Sequence, residues 1–484
     1  MSTFPSTPVR GLAAIVGFLV CVEIASGILQ GYYTPIYTDI ADSLSIADAD
    51  INWFEAAQLI VSALVVAPLA RMGDLVGHKR VLLLSTVVTA IGSWILVFAP
   101  SFTTFLIGWA LQGAFVVWLP IEVAIIHRRT AGTGRQGQLT RRAAAILVGA
   151  LELSVIVGAL TSGAIVESTS MSVVLMLPAI AVTLCLLAIW FGVEDVPGTA
   201  TGGFDWTGLV LVTAALALIM GGLVALRVQG PGSLLPWVLI AAGILALVPF
   251  ARYEAGQEAP MVDVRLLATP GQWPIQLTAF LFGMSVLGAQ IPLSTFARTD
   301  PDVAGYGLGA DAGFVSTLIG VYVIFLALGA FSLPLTTRLL GVRGALVAAA
   351  VLTSAGYALW LPFHDSTAQA LLNMAIAGLG SGALVAALPA SAAAAAPPDR
   401  TGFATGMTNA TKTVGGAIAS SIFAIALASA GSIDDPVEGH APLSGYLTVW
   451  TICAAAALAA ALVLAFTPRP ADAGDTEGVV PAEA

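Results

Sequence analysis

The chain has 484 residues, of which 58% are hydrophobic and only 10% are charged, and its formal net charge at pH 7 is −10. Soluble proteins carry about 25% charged residues, so this composition excludes a water-soluble globular fold. No basic run of the kind that binds nucleic acid is present in the sequence. The three cysteines, Cys21, Cys185 and Cys453, all lie inside apolar segments, which argues against a disulfide framework and against a Cys-x-x-Cys site.

Apolar segments long enough to cross a bilayer recur along the chain. A membrane-spanning helix needs about 20 mostly apolar residues. We predict fourteen, called spans 1 to 14 in chain order: 11–36, 53–70, 81–99, 102–126, 143–166, 171–193, 206–227, 235–251, 273–296, 313–336, 343–362, 367–395, 402–428 and 443–466. The first continues past residue 30 without a cleavage motif, so we expect a span and not a signal peptide.

The basic residues predict the orientation of these spans. Cytoplasmic connections carry an excess of Lys and Arg. If the N-terminus is cytoplasmic, only Arg227 and Arg298 lie outside and only Lys412 lies within a span, whereas all other Lys and Arg fall on the inner side. We therefore predict a multi-pass protein with both termini in the cytoplasm. The Ala- and Gly-rich, Lys-poor composition favours a bacterial source, hence a bacterial plasma (inner) membrane.

Spans 7 and 8 separate two sets of six spans. We expect an all-α integral membrane protein with an N-terminal six-helix bundle over 1–200 and two inserted linker helices over 201–270. A C-terminal six-helix bundle over 271–466 and a disordered cytoplasmic tail over 467–484 complete the predicted organisation. "DLVGHK" at 74–79 resembles "RLLGVR" in the equivalent loop of the second set. This repeat favours a transporter built from related halves, with substrate near the midplane.

The loop between spans 2 and 3 gathers unusual charge into a short stretch. Its residues resemble the signature loop of the major facilitator superfamily, Gly-x-x-x-Asp-x-x-Gly-[Arg/Lys]-x-[Arg/Lys], with Ala70 at the first Gly. The fourteen spans, "FDWTGLVLVTA" at 204–214 and "DRTGFATGMTNATKTVGGAIAS" at 399–420 resemble its drug:proton antiporter branch. The resemblance implies a cytoplasmic latch between the halves, formed by Arg71, Asp74, Gly77, His78, Lys79 and Arg80. The alternative is that these charges only set the topology, because the bilayer expels them.

The chain departs from the branch pattern at three places. Trp109, in "GWALQG", stands where the branch usually has an arginine in span 4. Span 5 keeps small residues but lacks the proline of the antiporter motif. In span 1 the usual aspartate position is Ser26, and Glu23 lies one helical turn earlier, on nearly the same face. We interpret Glu23 as a displaced substitute, so the branch's coupling scheme does not transfer residue by residue.

Ionisable residues inside spans are functional candidates, because embedding a charge is costly. The proton-coupling or substrate candidates are Glu23, Glu122, Glu152 and Lys412. The alternatives are a structural hydrogen bond for the glutamates, pairing with Arg128 for Glu122, and structural anchoring for Lys412. The cavity candidates are Gln30, Tyr32, Tyr33, Trp109 and Gln112. For the two tyrosines, the alternative is an interfacial aromatic belt.

Motifs for other chemistries are missing. The sequence has no Gly-x-x-x-x-Gly-Lys-[Ser/Thr] phosphate loop and no Gly-x-Ser-x-Gly element. Its four histidines lack metal-ligand spacing. We expect no enzyme activity, no metal and no cofactor, with a proton gradient as the energy source. The expected partners are a small organic substrate, protons and the lipid bilayer, and we expect no nucleic acid. We also expect the protein to be a monomer.

The predicted function is proton-coupled export of amphipathic organic compounds, such as drugs or secondary metabolites. The alternative is proton-linked or facilitated uptake of a small organic metabolite.

Overall fold

The computed structural model describes residues 12–130, 136–195, 204–258, 260–397, 400–428, 431–432, 435–436 and 441–466. The predicted tail, 467–484, lies outside them. Thirteen helices in the described residues are long and apolar enough to cross a membrane. The only strands among them form a two-residue antiparallel pair, Gly431–Ser432 with Asp435–Pro436. The predicted all-α membrane fold is therefore confirmed.

Spans 1 to 6 are helical, and two of them are interrupted. Their helices are Leu12–Gly31 and Tyr37–Leu44 (span 1), Ile51–Val76 (span 2), His78–Val97 (span 3), Phe102–Gln112 and Trp118–Arg129 (span 4), Gln136–Ile165 (span 5) and Met171–Gly192 (span 6). Short 3-10 turns at Thr34–Ile36, Asp48–Asp50 and Gly113–Val117 lie between helices. Pro35 lies in the first of these turns, where its missing N–H favours a break in span 1.

Spans 7 to 14 are also helical, and span 9 is interrupted. Their helices are Trp206–Gln229 (span 7), Leu234–Gly256 (span 8), Trp273–Val286 and Gln290–Arg298 (span 9), Ala312–Ala358 (spans 10 and 11), Thr367–Ala394 (span 12), Thr401–Leu427 (span 13) and Leu443–Phe466 (span 14). Two four-residue helices, Val264–Leu267 and Pro301–Ala304, lie in connections.

The 47-residue segment Ala312–Ala358 contains two spans. At 1.5 Å per residue it would be about 70 Å long, more than twice the bilayer's hydrocarbon core of about 30 Å. Gly341 breaks it, with φ 72° and ψ 167°, a backbone conformation that is essentially restricted to glycine. Gly341 lies in the predicted connection between spans 10 and 11, so the described residues contain fourteen candidate spans, in agreement with the predicted number.

The buried apolar side chains form two large cores. One is built mainly from spans 1 to 6 and the other mainly from spans 9 to 14. A smaller cluster joins Ile219 and Leu223 of span 7 to Trp53 of span 2 and Ala424 of span 13. Span 7 therefore packs where spans 2 and 13, one from each set, meet.

The "FDWTG" segment begins span 7 through local hydrogen bonds. The Asp205 carboxylate accepts from the Gly208 backbone N–H at 2.8 Å, which caps the helix. The same carboxylate accepts from the Tyr253 hydroxyl of span 8 at 3.1 Å. A Cβ at position 208 would lie 2.3 Å from Glu254 Oε1, so glycine lets the two inserted helices approach closely.

Candidate functional site

Two carboxyl groups meet inside the first bundle. Glu23, in the first helix of span 1, and Glu122, in the second helix of span 4, are each 0% exposed. Their side chains interact with each other. Within residues 12–130 and 136–195, no other group is hydrogen-bonded to either carboxyl group. The predicted alternative, pairing of Glu122 with Arg128, is not what this geometry shows.

The environment of this carboxyl pair lacks a counter-charge in the described residues. Besides Glu23, the group that acts electrostatically on Glu122 is the thiol of Cys21, and the buried Cys185 lies within electrostatic range of both acids. Two carboxylates in contact without a cation repel each other strongly. The arrangement is therefore suited to holding at least one proton between spans 1 and 4.

The predicted cavity aromatics pack into the core of the first bundle. Trp109 is 1% exposed and its ring lies 4.5 Å from that of Tyr33. Gln112 Nε2 donates hydrogen bonds to Tyr33 Oη and to Ser93 Oγ, both at 2.9 Å. In place of the branch's arginine, the chain thus has a packed aromatic cluster beside an amide whose Nε2 donates two hydrogen bonds and whose buried Oε1 has no partner among the described residues.

The other two cavity candidates differ in exposure. Tyr32 is 0% exposed, and its hydroxyl donates to the Val174 carbonyl of span 6 at 2.7 Å. Gln30 is exposed, and its amide donates to Ser26 Oγ at 3.1 Å. In this conformation only Gln30 of the five has open surface, and substrate contact by any of them stays a prediction.

Glu152 and Lys412 lie on opposite halves of the protein. Glu152 is in span 5 and Lys412 is in span 13, and both are half-buried. Each charge acts electrostatically on the other. Glu152 also acts on Tyr322 of span 10. The two predicted residues therefore belong to one region, which faces both bundles.

The loop after span 2 turns at a glycine. Gly77 has φ 109° and ψ 137°, which favours glycine over any residue with a Cβ. Lys79 Nζ donates to the Trp190 carbonyl at 3.0 Å, and Arg80 lies 3.6 Å from Asp195, both at the end of span 6. The Asp74 side chain lies outside the described residues. The contacts of Lys79 and Arg80 thus fall within the first bundle, and the latch stays a prediction.

The other residues of that loop pack close to the helix end. His78 is 4% exposed, and a Cβ at Gly73 would lie 3.2 Å from its ring. The Arg71 side chain is half-buried. The chain therefore makes a tightly packed turn between the end of span 2 and the start of span 3.

The equivalent loop of the second half has the same construction. Gly341 also has a positive φ, and Arg343, two residues later, donates to the carbonyls of Leu464 and Ala465 at the end of span 14. Lys79 likewise stands two residues after Gly77 and binds a carbonyl at the end of span 6. The weak sequence repeat therefore corresponds to a structural repeat.

Direct contacts join the halves at the predicted external end. Ser294 Oγ of span 9 donates to the Thr34 carbonyl of span 1 at 2.5 Å. The Arg298 guanidinium lies 3.0 Å from Asp39 Oδ1. Ser316 Oγ of span 10 donates to the Ala159 carbonyl of span 5 at 2.7 Å. These contacts close the external end in this conformation.

Span 13 shows where the closed region ends. A Cβ at Gly416 would lie 3.0 Å from Leu59 of span 2, whereas a Cβ at Gly402 or Gly406 would meet nothing within 4 Å. The helix thus contacts the first half toward its predicted external end, and only its face at Gly402 and Gly406 is open toward the predicted cytoplasmic end.

Sequence analysis missed the residues that close the external end. The sequence identified Arg227 and Arg298 only as the two basic residues that lie on the external side, against the cytoplasmic excess of Lys and Arg. Arg298 pairs with Asp39, and Arg227 lies 3.6 Å from Asp50. Their external position could have indicated these ion pairs, because an arginine that departs from the cytoplasmic excess of basic residues is expected to have a local acidic partner.

The comparisons with known proteins agree with this architecture. The family model for the Major Facilitator Superfamily matches residues 19–299 and 275–482. The chain belongs to the major facilitator superfamily. The assignment made from the loop after span 2 is thereby confirmed, and the chain is a multi-pass membrane protein.

Curated relatives within the superfamily include export proteins. The cephamycin export protein of Amycolatopsis lactamdurans is 27% identical over 90% of this chain and 88% of that protein. The tetracenomycin C resistance and export protein of Streptomyces glaucescens is 23% identical over 88% of this chain and 78% of that protein. The uridine/deoxyuridine transporter of Lactococcus lactis is 24% identical over 66% of this chain and 67% of that protein.

The fold also matches solved structures of the superfamily. An auto-inhibited peptide transporter of the POT family has a TM-score of 0.68 over 95% of this chain and 98% of that chain, at 14% identity. At this identity the match supports the fold alone.

Proposed function

We propose that this protein is a proton-coupled exporter of amphipathic organic compounds in the bacterial plasma membrane, with both termini in the cytoplasm. The observation that carries the proposal is the sealed carboxyl pair of Glu23 and Glu122. The similarity to two antibiotic export proteins over most of the chain supports the direction and the substrate class.

The carboxyl pair supplies the proton-binding step. Two acids that face each other in a low-dielectric interior share protons as a unit. They lie on spans 1 and 4 of the same bundle, so a proton bound here alters the packing between these two helices. In a two-state transporter, a ligand shifts the conformational equilibrium through its different affinities for the two states. No cofactor is needed for this step.

Substrate and proton occupy separate places in this proposal. Glu23 and Glu122 have no exposed surface, so a substrate cannot touch them in this conformation. Glu152 and Lys412 are half-buried, lie on different halves and act electrostatically on each other. Coupling then acts through movement of the bundles and not through competition of proton and substrate at one acid.

Uptake of a small organic metabolite is the second candidate function. It is favoured by the similarity to the uridine/deoxyuridine transporter, which covers about two thirds of both chains. Cells with and without the gene, loaded with ethidium or rhodamine B, distinguish the two directions. Export lowers dye accumulation and uptake raises it. Collapse of the proton gradient should abolish the difference for export and for proton-linked uptake, whereas facilitated uptake would persist.

Proteoliposomes test the carboxyl pair directly. Glu23→Gln and Glu122→Gln keep the hydrogen-bonding shape and remove the titratable group. Each should abolish uphill dye transport driven by a pH gradient while leaving some downhill exchange. Glu258→Gln, at an exposed acid in the connection after span 8, is the matched control and should transport normally. Full pH-driven transport by both variants of the pair would refute the proposal.

A further inference from the structure

The region between Glu152 and Lys412 contains two opposite charges that are not joined. Within the part of the chain that the structure describes, neither side chain has a hydrogen bond or an ion-pair partner, although each acts electrostatically on the other. Unlike Glu23 and Glu122, neither has a charged atom sealed from its surroundings. An acidic side chain of the first half and a basic side chain of the second are therefore only partly buried and lie within electrostatic range of each other.

The region between Glu152 and Lys412 lies near the middle of the membrane-spanning layer. Glu152 is ten residues after Arg142, where the candidate span Arg142–Ile165 begins, and Lys412 is eleven residues after Thr401, the start of span 13. At 1.5 Å per residue, Glu152 lies about 15 Å from Arg142 and Lys412 about 16 Å from Thr401 along their helices. Two unjoined charges at this depth are unfavourable unless a ligand or water compensates them.

Two buried hydroxyl groups of the second half lie close to the same region. Tyr322 of span 10 lies within electrostatic range of Glu152 and beside Ser381 of span 12. Among the described residues, the Tyr322 hydroxyl has no hydrogen-bond partner of standard geometry. The Tyr322 hydroxyl thus lies near Glu152 from the opposite half, but it is sealed in this conformation and would reach a ligand only after a rearrangement.

We propose that Glu152 and Lys412 form a two-charge substrate site that selects zwitterionic amphipathic compounds, the ligand cation lying at Glu152 and its anion at Lys412. This inference rests on the proposed function and names the substrate class of that exporter. A zwitterion compensates both protein charges, whereas a cation leaves Lys412 uncompensated and an anion leaves Glu152 uncompensated. Because the two residues lie on different halves, such a ligand also bridges the halves.

The test compares two dyes of one scaffold on the purified full-length protein. Rhodamine B is a zwitterion, and its methyl ester is a cation of nearly the same shape. Fluorescence anisotropy should give at least tenfold tighter binding of rhodamine B. Lys412→Met should weaken rhodamine B by tenfold or more and leave the ester unchanged or tighter. Lys412→Arg keeps the cation and should retain the preference, which separates loss of charge from misfolding.

Removing the negative charge at Glu152 should shift the binding preference toward anionic ligands. Glu152→Gln should weaken both dyes and tighten binding of the anion carboxyfluorescein, since only Lys412 then carries charge. Equal binding of rhodamine B and its ester by the wild-type protein, absence of binding of both, or an equal loss of both dyes in Lys412→Met would overturn the two-charge site. These measurements need no gradient, so a failure of proton coupling at Glu23 would leave them intact and count only against the proposed function.

Discussion

Arg298 of span 9 donates a hydrogen bond to Asp39 of span 1 at 3.0 Å, across the boundary between the two halves. Both side chains are largely buried, with 16% and 21% of their surfaces exposed. Hydrogen bonds to charged groups are worth about 1.5–3 kcal/mol. In an alternating-access cycle the external end must open, so the Asp39–Arg298 pair stabilises only the externally closed state.

Breaking this pair should shift the conformational equilibrium toward an open external end. Asp39→Asn should raise the fraction of externally open molecules by roughly tenfold or more, since about 1.4 kcal/mol corresponds to a factor of ten. The measurement is the rate of maleimide labelling at Ala297→Cys, a position that is 0% exposed here, in a variant with the three native cysteines replaced by serine. Asp302→Asn, an exposed acid at the same end, should leave the rate unchanged. An unchanged rate in Asp39→Asn would show that the pair does not stabilise closure.

The two corner glycines should be intolerant of alanine. Gly77 and Gly341 have φ values of 109° and 72°, and a residue with a Cβ pays about 1–3 kcal/mol in such a conformation. At Gly341 a Cβ would meet nothing within 4 Å, so the expected loss in thermal midpoint is due to backbone strain alone. Gly406→Ala, also in open space but inside a helix, should be neutral or stabilising. Equal midpoints for Gly341→Ala and Gly406→Ala would contradict this account.

The spans were predictable because the bilayer imposes a strong length and composition rule on every helix that crosses it. Their ends were less predictable. Span 2 was predicted over 53–70, but its helix continues to Val76. The charged residues after position 70 end the apolar run without ending the helix, because backbone hydrogen bonding persists beyond the hydrocarbon layer. The start of span 5, at Gln136 and not 143, has the same explanation.

The candidate site was predictable only residue by residue. Hydropathy identified Glu23 and Glu122 as embedded acids, but their contact joins spans 1 and 4, which are about a hundred residues apart in sequence and meet only through packing. The same holds for Glu152 and Lys412. The Asp39–Arg298 pair could not be found from spacing either, although the charge rule marked Arg298 as unusual.

Single-cysteine labelling should confirm the orientation. Gly232→Cys lies in the exposed connection between spans 7 and 8, and nothing lies within 4 Å of a Cβ there. In intact cells it should react with a membrane-impermeant maleimide. Glu258→Cys, in the next connection, should react only after permeabilisation, because the basic residues predict that this connection is cytoplasmic. The reverse pattern would invert the topology and place the Asp39–Arg298 pair at the cytoplasmic end.

Two ion pairs of equal length should differ widely in their contribution to stability. Arg227–Asp50 and Arg80–Asp195 both measure 3.6 Å, but the side chains are 8% and 1% exposed in the first and 68% and 46% in the second. Removing one partner of a buried ion pair is strongly destabilising, by about 3–5 kcal/mol. An exposed pair is worth about 0–1 kcal/mol. Asp50→Asn should therefore lower the thermal midpoint strongly, and Asp195→Asn should barely change it.

A double variant separates the ion pair from simple packing at the same place. Asp50→Leu with Arg227→Met removes both charges and keeps apolar volume, so it should recover most of the stability that Asp50→Asn loses. Fluorescence-detected size-exclusion chromatography after heating gives the midpoints. Recovery would show that span 7 is held against the connection between spans 1 and 2 by shape as much as by charge. A double variant less stable than Asp50→Asn alone would mean that the charges themselves hold the inserted helix in place.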